Sequence, residues 1–135
     1  MNIEIVPFRL EGCQCRLKFD PKEVQSALDA ELRKRVNKNA KFLDTLEGEL
    51  SITGAFTEID EGNFALHFML AFLGKAWIAG QIQVKHNGNA LIDEPFRISK
   101  TFSAFTGGRS QLNGDAKYLA GDIVKRTVKA LKRAV

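Results

Sequence analysis

Lys75-Ala76-Trp77-Ile78-Ala79-Gly80-Gln81-Ile82-Gln83-Val84-Lys85 leads through His86-Asn87-Gly88 into Asn89-Ala90-Leu91-Ile92-Asp93-Glu94-Pro95-Phe96-Arg97-Ile98. Ala76, Ile78, Ile82 and Val84 alternate with Trp77, Gln81, Gln83 and Lys85, the period of a half-buried strand. Asn87-Gly88 marks a hairpin turn. A two-residue loop would set Ile82 against Asp93 and Ile78 against Arg97, putting charge on the apolar face. A three-residue loop over His86, Asn87 and Gly88 instead pairs Val84 with Ala90, Ile82 with Ile92, Ile78 with Phe96 and Ala76 with Ile98. The second register is expected, at the cost of Glu94 standing opposite Gly80. Pro95 places the return strand at a sheet edge or bulge.

Upstream, Glu49 to Ile59 alternates Leu50, Ile52 and Phe56 against Ser51, Thr53 and Thr57, a second strand with one buried face. Asn2 to Phe8 reads as a first strand bordered by Pro7. Between them, Asp20 suits a helix N-cap and Pro21 the first helical position. Glu23 can complete a capping box, and Phe19 with Val24 a hydrophobic staple. The stripe Val24, Ala27, Leu28, Leu32 and Val36 carries this helix to about Asn37 to Asn39. Downstream, Ser103 to Gly114 reads as a glycine-bearing loop. A last helix then starts near Asp115, with Ala116, Leu119, Ala120, Ile123, Val124, Val128 and Leu131 on one stripe. The order strand, helix, three strands, helix predicts a two-layer α+β fold, with two helices on one face of a mixed or antiparallel sheet. With 135 residues, the chain is expected to be one domain, 1–135.

Composition is that of an ordinary globular chain, 44% hydrophobic and 27% charged. The formal charge of +4 is concentrated in two clusters, Arg33 to Lys41 and Lys125 to Arg133, both in helix C-terminal halves where the macrodipole favours cations. No exposed aromatics interleave them and no groove-entering motif is visible, so nucleic acid is not an expected partner. Cys13 and Cys15 are too close for an unstrained disulfide and lack a second ligand pair for zinc; two reduced thiols are expected. His67 and His86 have no carboxylate or thiol at catalytic or metal-binding spacing. Asp93 and Glu94, adjacent on a strand, point to opposite faces. No catalytic set, metal site or cofactor is expected from these residues.

The stretch Glu61-Gly62-Asn63-Phe64-Ala65-Leu66, then Gly74-Lys75-Ala76, the alternating strand, the Asn87-Gly88 turn, the Gly107-Gly108 loop and a terminal helix resemble the bacterial envelope family known as domain of unknown function 4410 (DUF4410). The likeness covers about the last 70 residues. It implies a two-layer layout and a lipoprotein or secreted protein of the cell envelope or periplasm, without an implied activity. This chain departs from the family in carrying Phe64 and His67 where arginines are common, and Ala71-Phe72-Leu73-Gly74 in place of a glycine-richer stretch. Leu10-Glu11-Gly12-Cys13 makes no convincing lipobox and no export signal is written in the chain, so the alternative compartment, if nothing was removed, is the cytoplasm.

Two candidate sites follow. In Phe64 to Leu73 both parities of an extended chain are apolar, and a sheet covered on one face can bury only one of them. Phe64, Leu66, Phe68, Met69, Leu70, Phe72 and Leu73 are therefore candidates for docking a protein partner, a second copy or a membrane surface. A short buried helix is the competing reading. Gly107-Gly108-Arg109-Ser110 is the second candidate, a loop able to cradle an anion with backbone N–H groups, though it lacks full phosphate-loop spacing. The expected function is a non-enzymatic protein-interaction or self-association module of the envelope. The alternative is a small-ligand or anion binder, or an enzyme, using the Gly107-Gly108-Arg109 loop.

Overall fold

The structure is a computed structural model that describes residues 1–63, 74–100 and 107–134. Among these residues the elements run β1 (Asn2–Ile5), β2 (Gln14–Arg16), α1 (Lys22–Lys38), α2 (Ala40–Leu43), β3 (Glu49–Asp60), β4 (Trp77–His86), β5 (Asn89–Ile98) and α3 (Gly108–Ala134). The five strands form one mixed sheet in which β3, β4 and β5 are successive antiparallel neighbours. β1 and β2 both run parallel to β3, β1 beside its first residues and β2 beside its last, with an Arg9–Ala55 bridge between them. Residues 2–16 thus act as one interrupted edge strand. The α+β class and the two-layer layout are as the sequence predicts; the three-residue strand β2 and the one-turn helix α2 are additions to the expected order.

The buried side chains of β3, β4 and β5 share the face on which the helices pack. Two bulges keep them there. On β3, Phe56 pairs with Gly80 and Glu58 with Ala79, so Thr57 is an extra residue. The step turns Ile59 inward, where strict alternation would have buried Glu58. On β5, Leu91 is extra, because Lys85 pairs with Ala90 and Val84 with Ile92. The hairpin loop is consequently the two-residue Asn87-Gly88 turn, both residues at positive φ (52° and 82°).

This corrects the expected hairpin register. The observed pairs are Val84 with Ile92, Ile82 with Glu94, Gly80 with Phe96 and Ile78 with Ile98. A bulge one pair beyond the turn restores the faces that a longer loop was expected to supply. Glu94 therefore does lie on the helix side, where Arg126 of α3 reaches down to form an ion pair with it. Asp93, on the other face, accepts from Gln81 at 3.0 Å.

Phe8, Phe56 and Phe96 meet at the centre of the core, with ring centroids 5.8 to 6.2 Å apart and mutually tilted. Gly54 and Gly80 make room for them. A β-carbon on Gly54 would strike the Phe8 ring and the Gln81 carbonyl; one on Gly80 would strike the Phe96 ring and the Ala55 carbonyl. The close approach at these glycines is thus made by aromatic rings and neighbouring strand backbone.

α1 begins as its sequence indicates. Pro21 is already in the right-handed helical region, and Asp20 Oδ1 accepts the Lys22 N–H at 2.9 Å. Glu23 is turned instead toward Arg109. α3 begins two turns before Asp115, so Gly108 to Gly114 are helical where a loop was expected; Ser103 to Thr106 of that expected loop lie outside the described residues. Gln111, Leu112, Asp115 and Ala116 are buried, so the apolar stripe extends to its first turn and overrides the local glycine content. Glu23 and Arg109 join the two N-terminal ends, while Phe42, just past the end of α1, lies under Lys132 near the end of α3. α1 and α3 are therefore parallel, with their C-terminal ends side by side.

Candidate functional site

The chain leaves β3 at Asn63 and returns at Gly74, and it leaves β5 at Lys100 and returns at Gly107. All four points lie at one end of the sheet. Asn63 donates its N–H to the Gly74 carbonyl at 2.8 Å. Gly62, at φ 77°, lies so close to Gly74 and Lys75 that no side chain would fit there. The ten residues between Asn63 and Gly74 thus begin and end at one pinned neck. Phe64, Leu66, Phe68, Met69, Leu70, Phe72 and Leu73, the docking residues expected from sequence, belong to that stretch and lie outside the described residues, as does His67.

The neck is tied to α3. Gly108 lies against the Glu61 backbone with no space for a side chain. Gln111, fully enclosed, accepts the Ala76 N–H at 3.2 Å. Ser99 donates to the Ala76 carbonyl at 2.9 Å. Asp115, with no exposed surface, accepts the Lys100 N–H at 2.9 Å, and its other carboxylate oxygen has no hydrogen-bond partner among the described residues. Burial pushes this carboxyl up to about 7, against the opposing pull of the Lys100 N–H and the Lys100 and Lys75 charges. The sequence places Asp115 only at a helix start; its burial follows from the earlier turns of α3.

Gly107, Gly108, Arg109 and Ser110 stand at the α3 N-terminus, with the last three forming its first turn. Arg109 does not face an open cradle. Its guanidinium grips both oxygens of Glu23 (Nε to Oε1 3.0 Å and to Oε2 2.8 Å) and lies 5.2 Å over the Phe19 ring. The glutamate and phenylalanine assigned from sequence to a capping box and staple serve to hold this arginine.

The sheet face opposite the helices carries a second cluster. Trp77 Nε1 donates to Glu58 Oε2 at 2.9 Å, Arg97 approaches the same oxygen at 3.5 Å, and the Arg97 guanidinium lies 5.0 Å over the Trp77 ring. Arg16 pairs with Asp60 beside it at 3.7 Å. Cys15 lies on β2, with Cys13 just before it, and both thiols are free. Burial, followed by the Cys15 contact, pushes the Cys13 thiol up to about 12, so at neutral pH it is a thiol rather than a thiolate nucleophile. His86 lies 3.4 Å from the Glu47 carbonyl. Among the described residues no three His, Cys, Asp or Glu side chains are grouped to hold a metal ion, and no helix is long and apolar enough to cross a membrane.

No family model matches the chain, and no curated protein matches it. Solved structures do. The subunit of the PelC dodecamer from Paraburkholderia phytofirmans superposes with a TM-score of 0.54 over 93% of this chain and 86% of that one, at 12% identity. A leucine-to-methionine variant of the same dodecamer gives 0.51 over 89% and 86%, at 10% identity. At such identities the likeness is one of fold.

Proposed function

We propose that this chain is a non-enzymatic interaction module that assembles with copies of itself, in the cell envelope, as the resemblance to domain of unknown function 4410 implies. The observation that carries the reading is the near full-length superposition on the subunit of a dodecamer, which supplies a precedent for this two-layer fold as the unit of an oligomer. The sheet edges favour assembly through faces and loops over strand addition. On one edge α1 covers the backbone, with Arg33 donating to the Ile5 carbonyl at 2.9 Å and Gln25 to the Phe8 carbonyl at 2.7 Å. On the other, β5 carries Pro95 between charged residues, a poor template for pairing. The apolar stretch from Phe64 to Leu73, held at its pinned neck, is the docking element of this reading.

The polar clusters fit a structural role. Arg109 is held by Glu23, Asp60 by Arg16, and Glu58 by Trp77 and Arg97, so each spends its charge inside the chain. Native mass spectrometry tests the proposal. A closed oligomer of defined stoichiometry is expected, and a spectrum containing only the 15.0 kDa monomer at every concentration would sink it.

A further inference from the structure

The parallel packing of α1 and α3 brings together the two basic clusters that are separate in the sequence. Between the helices runs an open groove of about 620 Å³, facing away from the sheet. Its floor is Gly121, Val124 and Val128; its rim is Arg35, Lys125, Lys129, Lys132 and Arg133. Lys117 extends the rim toward the N-terminal half of α3, on a smaller hollow that shares Arg35, Gly121 and Lys125. Gly121 keeps the floor low, since a β-carbon there would fill the space up to van der Waals contact with the Arg35 guanidinium, 3.4 Å away.

Helix dipoles explain only part of this charge. Their influence fades within the last turn, which accounts for Arg35, Lys132 and Arg133. Lys117, Lys125 and Lys129 lie upstream of it. Lys117, Lys125, Lys129, Lys132 and Arg133 are exposed and have no ion pair among the described residues, as is also true of Lys22, Lys34 and Lys38 on α1, whereas the arginines Arg33, Arg35, Arg109 and Arg126 are paired. We propose that the groove docks an acidic amphipathic helix of a different protein, its apolar stripe on Val128 and the aliphatic stems of the rim lysines, since Val124 below them is only 4% exposed, and its carboxylates along the lysine rim. From Gly121 to Arg133 the groove is roughly 18 Å long at 1.5 Å per residue, enough for about three turns of a partner helix.

A second copy of this chain is a poorer occupant. The acidic residues of α1 (Glu23, Asp29 and Glu31) and Asp122 of α3 are each held by an arginine, and Asp115 is buried, so neither helix presents a free acidic face. A flat anionic membrane would meet the rim and leave the apolar floor unfilled. The proposal is independent of self-association.

Fluorescence anisotropy with a labelled synthetic helix of leucine and glutamate, leucine at i, i+3, i+4 and i+7, tests it. The controls are a scrambled peptide of the same composition, phosphatidylglycerol vesicles and a single-stranded oligonucleotide. Saturable binding is expected, weakened by salt and by about tenfold or more in both the scrambled peptide and the Lys125→Glu/Lys129→Glu variant. Lys85→Glu, on the opposite side of the molecule, leaves it unchanged, and circular dichroism verifies that the variants remain folded. Equal binding of the scrambled peptide, full binding by the double variant, no binding at all, or capture of vesicles or oligonucleotide in preference to the helix each overturns the proposal.

Discussion

Raising the pH from 5 to 8 should weaken this fold through one carboxyl group. Asp115 has no exposed surface, one carboxylate oxygen without a partner among the described residues, and a pKa of about 7 in place of 3.8. A raised acid holds its proton more tightly when folded, so its contribution is full below pH 3.8 and is lost as the pH climbs through 7. Linkage puts the loss between pH 5 and 8 at about 2 to 3 kcal/mol. The other shifted acids act elsewhere. Burial alone would raise Glu31, but the Arg35 hydrogen bond and the Lys34 charge hold it below 4.5, so its contribution is lost only in acid. Cys13, raised from 9.0 to about 12, costs stability only in alkali. Urea titrations of the parent and of Asp115→Asn at both pH values isolate the effect, because asparagine can still accept the Lys100 N–H. The parent should lose stability that the variant retains, and the variant should be the more stable of the two at pH 8. Identical pH slopes would refute the assignment.

Asp20→Ala removes the acceptor for the Lys22 N–H and should cost about 1 kcal/mol in chemical denaturation; an unchanged midpoint would mean that the cap is idle. Gly80→Ala drives a methyl group into the Ala55 carbonyl and the Phe96 ring, and should destabilise by roughly 1 to 3 kcal/mol, measured the same way. Deleting residues 132–135 should leave the melting temperature nearly unchanged, since Leu131 is the last buried side chain of α3 and Lys132, Arg133 and Ala134 are exposed; insoluble expression would contradict that.

Alternation was enough to assign the faces of β4, and of β3 as far as Phe56, because a half-buried strand must sort its residues by polarity. It could not give the register. The bulges at Thr57 and Leu91 each reset parity by one residue, and nothing in Phe56-Thr57-Glu58 or Ala90-Leu91-Ile92 announces them in advance. The capped start of α1 was legible because Asp20 and Pro21 act locally. The start of α3 was hidden by Gly107, Gly108 and Gly114, although Leu112 continues the stripe of Ala116 and Leu119 one turn upstream. Gly108 answers to the Glu61 backbone, a contact distant in sequence. The same holds for the lysine groove and for the Arg109–Glu23 pair, which exist only because α1 and α3 pack in parallel.

Sedimentation equilibrium from micromolar to millimolar protein, on the parent and on Phe68→Asp and Met69→Asp, tests the central claim most directly. These two positions fall on opposite parities of the apolar stretch. The account predicts an associating parent and at least one variant that keeps its melting temperature while sedimenting as a monomer. A parent that stays monomeric throughout, with both variants unfolded, would mean that Phe64 to Leu73 belongs to the core and that the chain does not work by self-assembly.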